Sequence, residues 1–289
     1  MNLETVRHAY LRRVVTPVLG AAGPALTERL ARRLGRGVHS MNTPGRRNAE
    51  HRIRAALGPD ATEEEVAAIV EGMYDHIARF WSEAVFLRRR LGEASWRKYV
   101  NIEDESNLQE LADTRRGCIL TTAYFGNPAA CAIALGHIFR PVYVLVDYLA
   151  QPALRSWQKD FYDWPNLRPI DARKAAEHLP RVLADGGAVL MICEHTRSRG
   201  RVTETQFLGN TLRCYPTLDR LSQWYDVPVA VVTCIRGNSP FSFALAVHEI
   251  FEPATAASDD GRVTRHTLAA MERAILRHPA QYLWSVSGA

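Results

Sequence analysis

Lysine is nearly missing from this chain: three Lys stand against 33 Arg among its 289 residues. So lopsided a ratio fits a GC-rich coding sequence, and the choice of arginine is no sign of phosphate recognition in itself. Cysteine is sparse too. Cys118, Cys131, Cys193, Cys214 and Cys234 are widely spaced and odd in number, without a Cys-x-x-Cys pair or a Cys/His ligand spacing. That pattern excludes a disulfide-stapled miniprotein and argues against a zinc site. Three of the five lie in apolar runs, as buried free thiols of a reducing compartment do. No window approaches the roughly 18 apolar residues of a bilayer span. The first apolar stretch, residues 14–22, is interrupted by Pro17 and Gly20 and lacks a small-residue cleavage pattern, so no signal peptide is read. A cytoplasmic protein is expected.

Hydrophobic residues make up 47% of the chain and charged residues 23%, proportions of an ordinary globular protein. Disorder and collagen-like repetition are excluded, and the length suits one large domain or a domain with a helical appendage. The net charge of +5 is unevenly placed. Residues 1–54 hold eleven Arg and three Glu, a local +8, which leaves −3 for the rest. These arginines (Arg7, Arg12, Arg13, Arg29, Arg32, Arg33, Arg36, Arg46, Arg47, Arg52 and Arg54) could face an acidic carrier protein, an anionic membrane or tRNA, or simply shield a core. No aromatic interleaving supports nucleic-acid binding.

The first hundred residues read as helices. Pro24, Ala25, Leu26, Leu30 and Leu34 have helical spacing, with Gly35 and Gly37 as the expected end. Asp60 to Glu65 forms a helix start of capping oxygens and first-turn carboxylates. The apolar face from Val66 through Val85 predicts a helix reaching about Leu91. Beyond residue 116 the pattern becomes strand-length apolar runs at 118–123, 142–147, 188–193, 229–235 and 243–250. Helical stretches at 127–138, 151–162, 172–184 and 215–224 separate them, and 263–277 forms a last helix. Alternation of this kind predicts an α/β fold, a mostly parallel central sheet flanked by helices and preceded by an N-terminal helical region. We divide it into a basic helical region, 1–115, packing on a core, 116–289. Ligands of such sheets bind beyond the carboxyl ends of the strands. The residues to inspect are therefore Tyr124 to Asn127, Asp147 and Tyr148, Glu194 to Arg201, and Arg236 to Asn238.

One stretch, Gly117 through Ala123 and on to Tyr124-Phe125-Gly126-Asn127, resembles the strand of the bacterial lipid A biosynthesis acyltransferases and related mannoside acyltransferases that ends in a His-Phe-Gly-Asn-Trp-Glu-like sequence. Other landmarks follow in the family's order: Arg79-Phe80-Trp81-Ser82-Glu83, Leu183 to Leu190, Phe207-Leu208-Gly209, Asp226-Val227-Pro228-Val229, and His278-Pro279 with Tyr282-Leu283-Trp284. The likeness spans roughly residues 45–285 and implies that family's fold and acyl transfer. Its chemistry rests on a His-x4-Glu/Asp pair, in which the imidazole deprotonates an acceptor and the carboxylate orients the ring. Here Tyr124 and Ala129 hold the two positions. The arginines that the family carries near its C-terminus are absent after Trp284, and its N-terminal membrane-anchoring helix is weak or missing. These departures argue against lipid A as the acceptor.

His195, directly after the run 188–193, is the candidate replacement base, since an imidazole near pKa 6.5 takes a proton at neutral pH. Glu194 precedes it, yet neighbours along a strand point to opposite faces, so Glu194 need not orient it. A solvated loop histidine is the other reading. Tyr124, with Asn127 beside it, could donate a hydrogen bond to an oxyanion, or could simply be a packed tyrosine. Arg197, Arg199 and Arg201 could hold the phosphate of a donor or belong to a solvated loop. Asp147 and Tyr148 could position an amine or hydroxyl, or be an ordinary strand-end pair. The other histidines show no ligand spacing, and no metal or cofactor is expected beyond the donor as co-substrate.

These residues make up one hypothesis, a divergent acyl or aminoacyl transferase. It would move the group from a thioester or activated ester (on acyl carrier protein, CoA or aminoacyl-tRNA) to a small polar acceptor in specialised metabolism. DNA is not an expected partner. Two alternatives stand beside it: a non-catalytic protein that binds a carrier protein or lipid, and a lipid or glycolipid acyltransferase with a relocated base. Peripheral contact of this cytoplasmic protein at the inner membrane could accompany any of these readings.

Overall fold

The computed structural model describes residues 16–148, 155, 158–159, 162–194, 202–214, 216–253 and 261–285. The N-terminal part is helical: α1 (Thr16–Ala22), α2 (Pro24–Met41), α3 (Thr43–Leu57), α4 (Glu63–Ala84) and the single turn α5 (Leu87–Arg90). Next come β1 (Val100–Glu103), α6 (Glu105–Asp113), β2 (Cys118–Thr122), α7 (Pro128–Phe139), β3 (Val142–Val146) and β4 (Leu167–Asp171). The remainder is α8 (Ala175–Ala184), β5 (Ala188–Ile192), the strands β6 (Thr203–Phe207) and β7 (Asn210–Cys214), α9 (Thr217–Tyr225), β8 (Val229–Arg236), β9 (Phe243–Phe251) and α10 (Arg262–Arg277).

Seven strands form one sheet in the order β1-β9-β8-β2-β5-β3-β4, and β6 pairs with β7 as a separate antiparallel pair. The five strands from β8 to β4 run parallel, while β9 lies antiparallel to β8 and carries β1 alongside it. The mixed α/β fold with a mostly parallel sheet and a helical N-terminal region is as expected. β2 is buried throughout because both faces are covered. Ile119 contributes to the core beneath α3, α4, α8, α9 and α10, whereas Cys118 and Leu120 contribute to the one beneath α6 and α7. Alternate residues of β5 and β8 divide in the same way. All five cysteines are buried, and none is in a disulfide.

Several boundaries differ from the expectation. α2 does not stop at Gly35 but continues to Met41. Gly35 instead lies on α4 so closely that a Cβ there would come 2.9 Å from the Tyr74 carbonyl oxygen. The glycine is a contact point between helices. α4 begins at a capping box on Thr62, whose hydroxyl accepts from the Glu65 N–H while Glu65 returns a bond to the Thr62 N–H. It ends at Ala84 rather than near Leu91, because Val85 and Phe86 bond back three residues and turn Phe86 and Leu87 into the second core. Two edge strands went unread. β1 precedes residue 116 and joins the sheet beside β9, and β4 carries Pro169, which an edge position tolerates. The expected helix at 151–162 lies largely outside the described residues.

Candidate functional site

The C-terminal ends of β2, β5 and β8 are neighbours, so the residues that follow them meet at one rim of the sheet. After β2 the chain turns at Gly126, whose φ is +62°. A Cβ there would sit 2.2 Å from the Cys234 carbonyl oxygen, so only glycine lets the turn press against β8. The turn delivers the Asn127 N–H to that same carbonyl at 2.7 Å. Asn127 also caps α7: its Oδ1 accepts from the Ala130 N–H at 2.9 Å, and Pro128 opens the helix.

Behind this turn lies a buried polar cluster. The Asn127 Nδ2 donates to Glu83 Oε2 at 2.8 Å. Arg236, the last residue of β8, donates through Nη2 to the same oxygen at 2.7 Å and through Nε to Oε1. Its remaining Nη1 donates to His76 Nδ1 at 2.5 Å, which requires an unprotonated nitrogen there. Burial holds the His76 pKa well below its ordinary value, and the Arg236 and Arg79 cations act in the same direction. Gln281 clasps the Arg236 backbone on both sides, accepting its N–H at 2.8 Å and donating to its carbonyl at 3.1 Å.

In front of the cluster, Glu194 follows β5 and is 2% exposed. Its Oε1 accepts from the Tyr124 N–H at 2.7 Å, and its Oε2 from the Tyr282 hydroxyl. Burial raises its pKa, while the Tyr282 and Tyr124 hydrogen bonds and the Arg52 cation oppose the rise. The C-terminal segment completes the frame. Phe125 and Tyr282 form an antiparallel bridge, the Gly126 N–H donates to the Gln281 carbonyl, and the Leu283 N–H donates to the Tyr124 carbonyl, both at 3.0 Å. The Tyr124 backbone is therefore held from two sides, and its side chain is partly exposed. Burial first, then the Glu194 and Asp147 charges, push the Tyr124 phenol up to about 12, so it is a hydrogen-bond donor at neutral pH.

Asp147 and Tyr148 follow β3, one strand beyond β5. The Asp147 carbonyl accepts from Gln158 Nε2 at 3.2 Å, and Lys159 Nζ lies 5.8 Å from the centre of the Tyr148 ring. Burial raises the pKa of Tyr162, and Tyr124 and Tyr148 add to the rise, which places the three phenols in one neighbourhood. Of the expected site residues, Tyr124, Asn127 and Glu194 come together, and Asp147 and Tyr148 border them. Both ends of the Asn127 amide are engaged by the protein, as are both carboxylate oxygens of Glu194. His195, Arg197, Arg199 and Arg201 lie outside the described residues. Ala129 is buried in the core beneath α7. Sequence reasoning noticed Glu83, Arg236 and Tyr282 as landmarks but gave them no task, and it passed over His76 and Gln281. Their one legible signal was position, at a helix end or just past a strand. Among the described residues no group of three or more His, Cys, Asp or Glu side chains could hold a metal ion.

The family model described as bacterial lipid A biosynthesis acyltransferase matches residues 3–286. Among curated proteins, none matches the chain.

Proposed function

The chain belongs to the bacterial lipid A biosynthesis acyltransferase family, and from that premise we propose that it moves an acyl or aminoacyl group to a polar acceptor at the rim formed by β2, β5 and β8. Acyl transfer is the activity class that family membership supports. The donor in this reading is a thioester or activated ester carried by acyl carrier protein, CoA or tRNA, and the acceptor is the hydroxyl or amine of a small molecule of specialised metabolism.

The reaction is an addition followed by an elimination. The acceptor's oxygen or nitrogen attacks the donor carbonyl and His195 takes its proton. The tetrahedral oxyanion then collapses, and the leaving thiolate or alkoxide recovers the proton from the imidazolium. Tyr124 donates a hydrogen bond to the oxyanion. Asn127 and Glu194 serve by holding the Tyr124 turn, Arg197, Arg199 and Arg201 receive the donor phosphate, and Asp147 with Tyr148 receives the acceptor. One observation carries the reading: a phenol kept protonated to about 12 stands at a strand end with its backbone fixed by Glu194 and Leu283. The test is a panel of carrier-bound, CoA and aminoacyl donors incubated with polar acceptors and analysed by mass spectrometry. A product that disappears in His195→Ala is expected, and unchanged transfer by that variant would remove His195 from the mechanism.

A second reading is favoured by position 129. Its alanine packs among apolar neighbours, so it offers no carboxylate to orient a base. A protein that binds a carrier or lipid without turnover would be consistent with that. Donor binding with neither transfer nor hydrolysis across the panel would select it.

A further inference from the structure

Between α8 and the edge strand β4 lies a recess that the rim does not use. In the parallel pairing of β3 with β4, Tyr143 stands opposite Arg168, so both side chains share one face of the sheet with Ile170. That is the face α8 covers. β4 is the last strand of the sheet, and the space between it and α8 opens outward. Lys174, at the N-cap of α8, is followed by His178 and Val182 at intervals of four, which sets the three in a row along the helix. This row, Tyr143, Arg168 and Ile170 line a recess of about 310 Å³. Arg168, Lys174 and His178 are exposed, and among the described residues none of them forms an ion pair. The carboxylate that also borders the recess, Asp171, is already engaged: it accepts from Arg173 Nε at 3.0 Å and Nη2 at 2.6 Å. Arg168 Nη1 donates to the Pro165 and Leu167 carbonyls at 2.7 and 2.9 Å. Its guanidinium is thus fixed in advance, which spares rotamer entropy that binding ordinarily costs.

Tyr143 and Val182 also line a second recess, of about 550 Å³, and so form a wall common to both. It lies where α6, α7 and α8 end before β2, β3 and β5, at the amino edge of the sheet and away from the rim. Its charges balance, Asp113 and Asp185 against Arg115 and Arg140, and Ile138 and Phe139 add apolar surface. We propose that the two recesses together bind a small nucleotide, with its phosphate on Arg168, Lys174 and His178 and its nucleoside beside Tyr143 in the larger recess. Charge sets the orientation. The smaller recess is cationic and offers a planar fork, an ammonium and an imidazole to phosphate oxygens. The larger one is electrically balanced and combines apolar walls with carboxylates that accept from hydroxyl and amino groups, as a nucleoside requires. Both volumes fall within the range of about 300–1,000 Å³ that small-molecule sites occupy. Inorganic phosphate alone would leave Tyr143 and the larger recess without a task.

Nothing in this site depends on the transfer reaction, and binding alone tests it. The full chain is titrated calorimetrically with ADP and, separately, with adenosine and with inorganic phosphate. ADP should bind at least about tenfold more tightly than either, since each of the smaller molecules engages one recess only, and its affinity should fall as salt rises. Lys174→Gln with His178→Gln should weaken ADP by at least about tenfold, through the lost hydrogen bonds to phosphate, and leave adenosine binding as it was. The thermal melt should stay in place, because both side chains are exposed. Arg168→Lys keeps the charge but gives up the fixed fork, and should weaken ADP as well. Absence of ADP binding at millimolar concentration overturns the proposal. So does inorganic phosphate that binds as tightly as ADP, since the three side chains would then be a basic patch without a nucleoside site. ADP affinity unchanged in the Lys174 and His178 double variant overturns it too, because the nucleotide would then sit elsewhere on the chain.

Discussion

Arg236, at the end of β8, and Glu83, in the last turn of α4, form a two-point ion pair whose side chains are 2% and 7% exposed. The two are 153 residues apart in the chain. Their pairing ties the N-terminal helices to the sheet directly behind the turn that carries Tyr124. A buried pair of this kind adds little net stability, since desolvation offsets the attraction, but it is costly to break on one side. Glu83→Leu should therefore lower unfolding stability by about 3–5 kcal/mol in urea titration. Combining it with Arg236→Met should recover part of that loss, because no lone cation is then left buried. Recovery stays incomplete because Asn127 Nδ2 and His76 Nδ1 lose their partners in the double variant. Losses that simply add would mean the two residues are not coupled.

The parallel core of the fold was legible because its strands are buried on both faces and read as continuous runs of Val, Ile, Leu, Ala and Cys. The runs at 118, 142, 188, 229 and 243 become β2, β3, β5, β8 and β9, with ends shifted by at most one residue. β1 and β4 were missed for the opposite reason. As edges they need one apolar face at most, and Val100-Asn101-Ile102-Glu103 or Leu167-Arg168-Pro169-Ile170 carries too few apolar residues to register. Glu194 and Tyr124 were found from the strand-end rule alone. Of the buried cluster the same rule reached Arg236 but not His76, Glu83 or Gln281, because each of these is unremarkable locally and gains its meaning only from partners that the fold brings over a long separation.

His76 makes stability depend on pH, and the sign follows from its lowered pKa. The folded imidazole stays neutral beside Arg236, whereas in the unfolded chain it takes a proton near its ordinary value of 6.5. The unfolded state then binds more protons on the acid side, so this contribution is present above about 6.5 and is lost as pH falls toward the folded value. Each such group adds a slope of up to about 1.4 kcal/mol per pH unit. His248, lowered chiefly by burial, acts in the same sense. Glu194, raised chiefly by burial, acts oppositely: its contribution is full below the ordinary carboxylate pKa and is lost as pH rises through the folded value. Urea titrations between about pH 7 and 5 should give a shallower acid-side loss for His76→Gln than for wild type, and a steeper one for Glu194→Gln. An unchanged slope in His76→Gln would mean that the buried imidazole is not held neutral.

The Gly126 turn is equally open to test. An alanine there must adopt a left-handed backbone and also displace the Cys234 carbonyl that Asn127 uses. The backbone term alone costs about 1–2 kcal/mol, and the displaced contact adds to it. Gly23→Ala is the control: its φ is also positive, at +79°, but nothing lies within 4 Å of the new Cβ. Urea titration should show Gly126→Ala to be the more destabilised of the two by at least about 1 kcal/mol. Equal losses would mean that backbone conformation alone, and not the approach of β8, requires glycine at the turn.

Tyr124 links this frame to the proposed reaction. Removing one donor to an oxyanion typically lowers turnover by about 10²–10³-fold, so Tyr124→Phe should fall in that range once a donor and acceptor pair is in hand. The loss should appear in kcat and kcat/KM together, since the hydrogen bond strengthens only as the oxyanion forms. The pH profile carries a second check. A phenol with the ordinary pKa of 10.0 would lose its proton within the alkaline limb, whereas one pushed up to about 12 stays a donor across it. Wild-type rates should thus show no ionisation near 10 that Tyr124→Phe removes. Such an ionisation, or a phenylalanine variant as fast as wild type, would take the phenol out of the reaction and leave Tyr124 as a packed side chain on the turn.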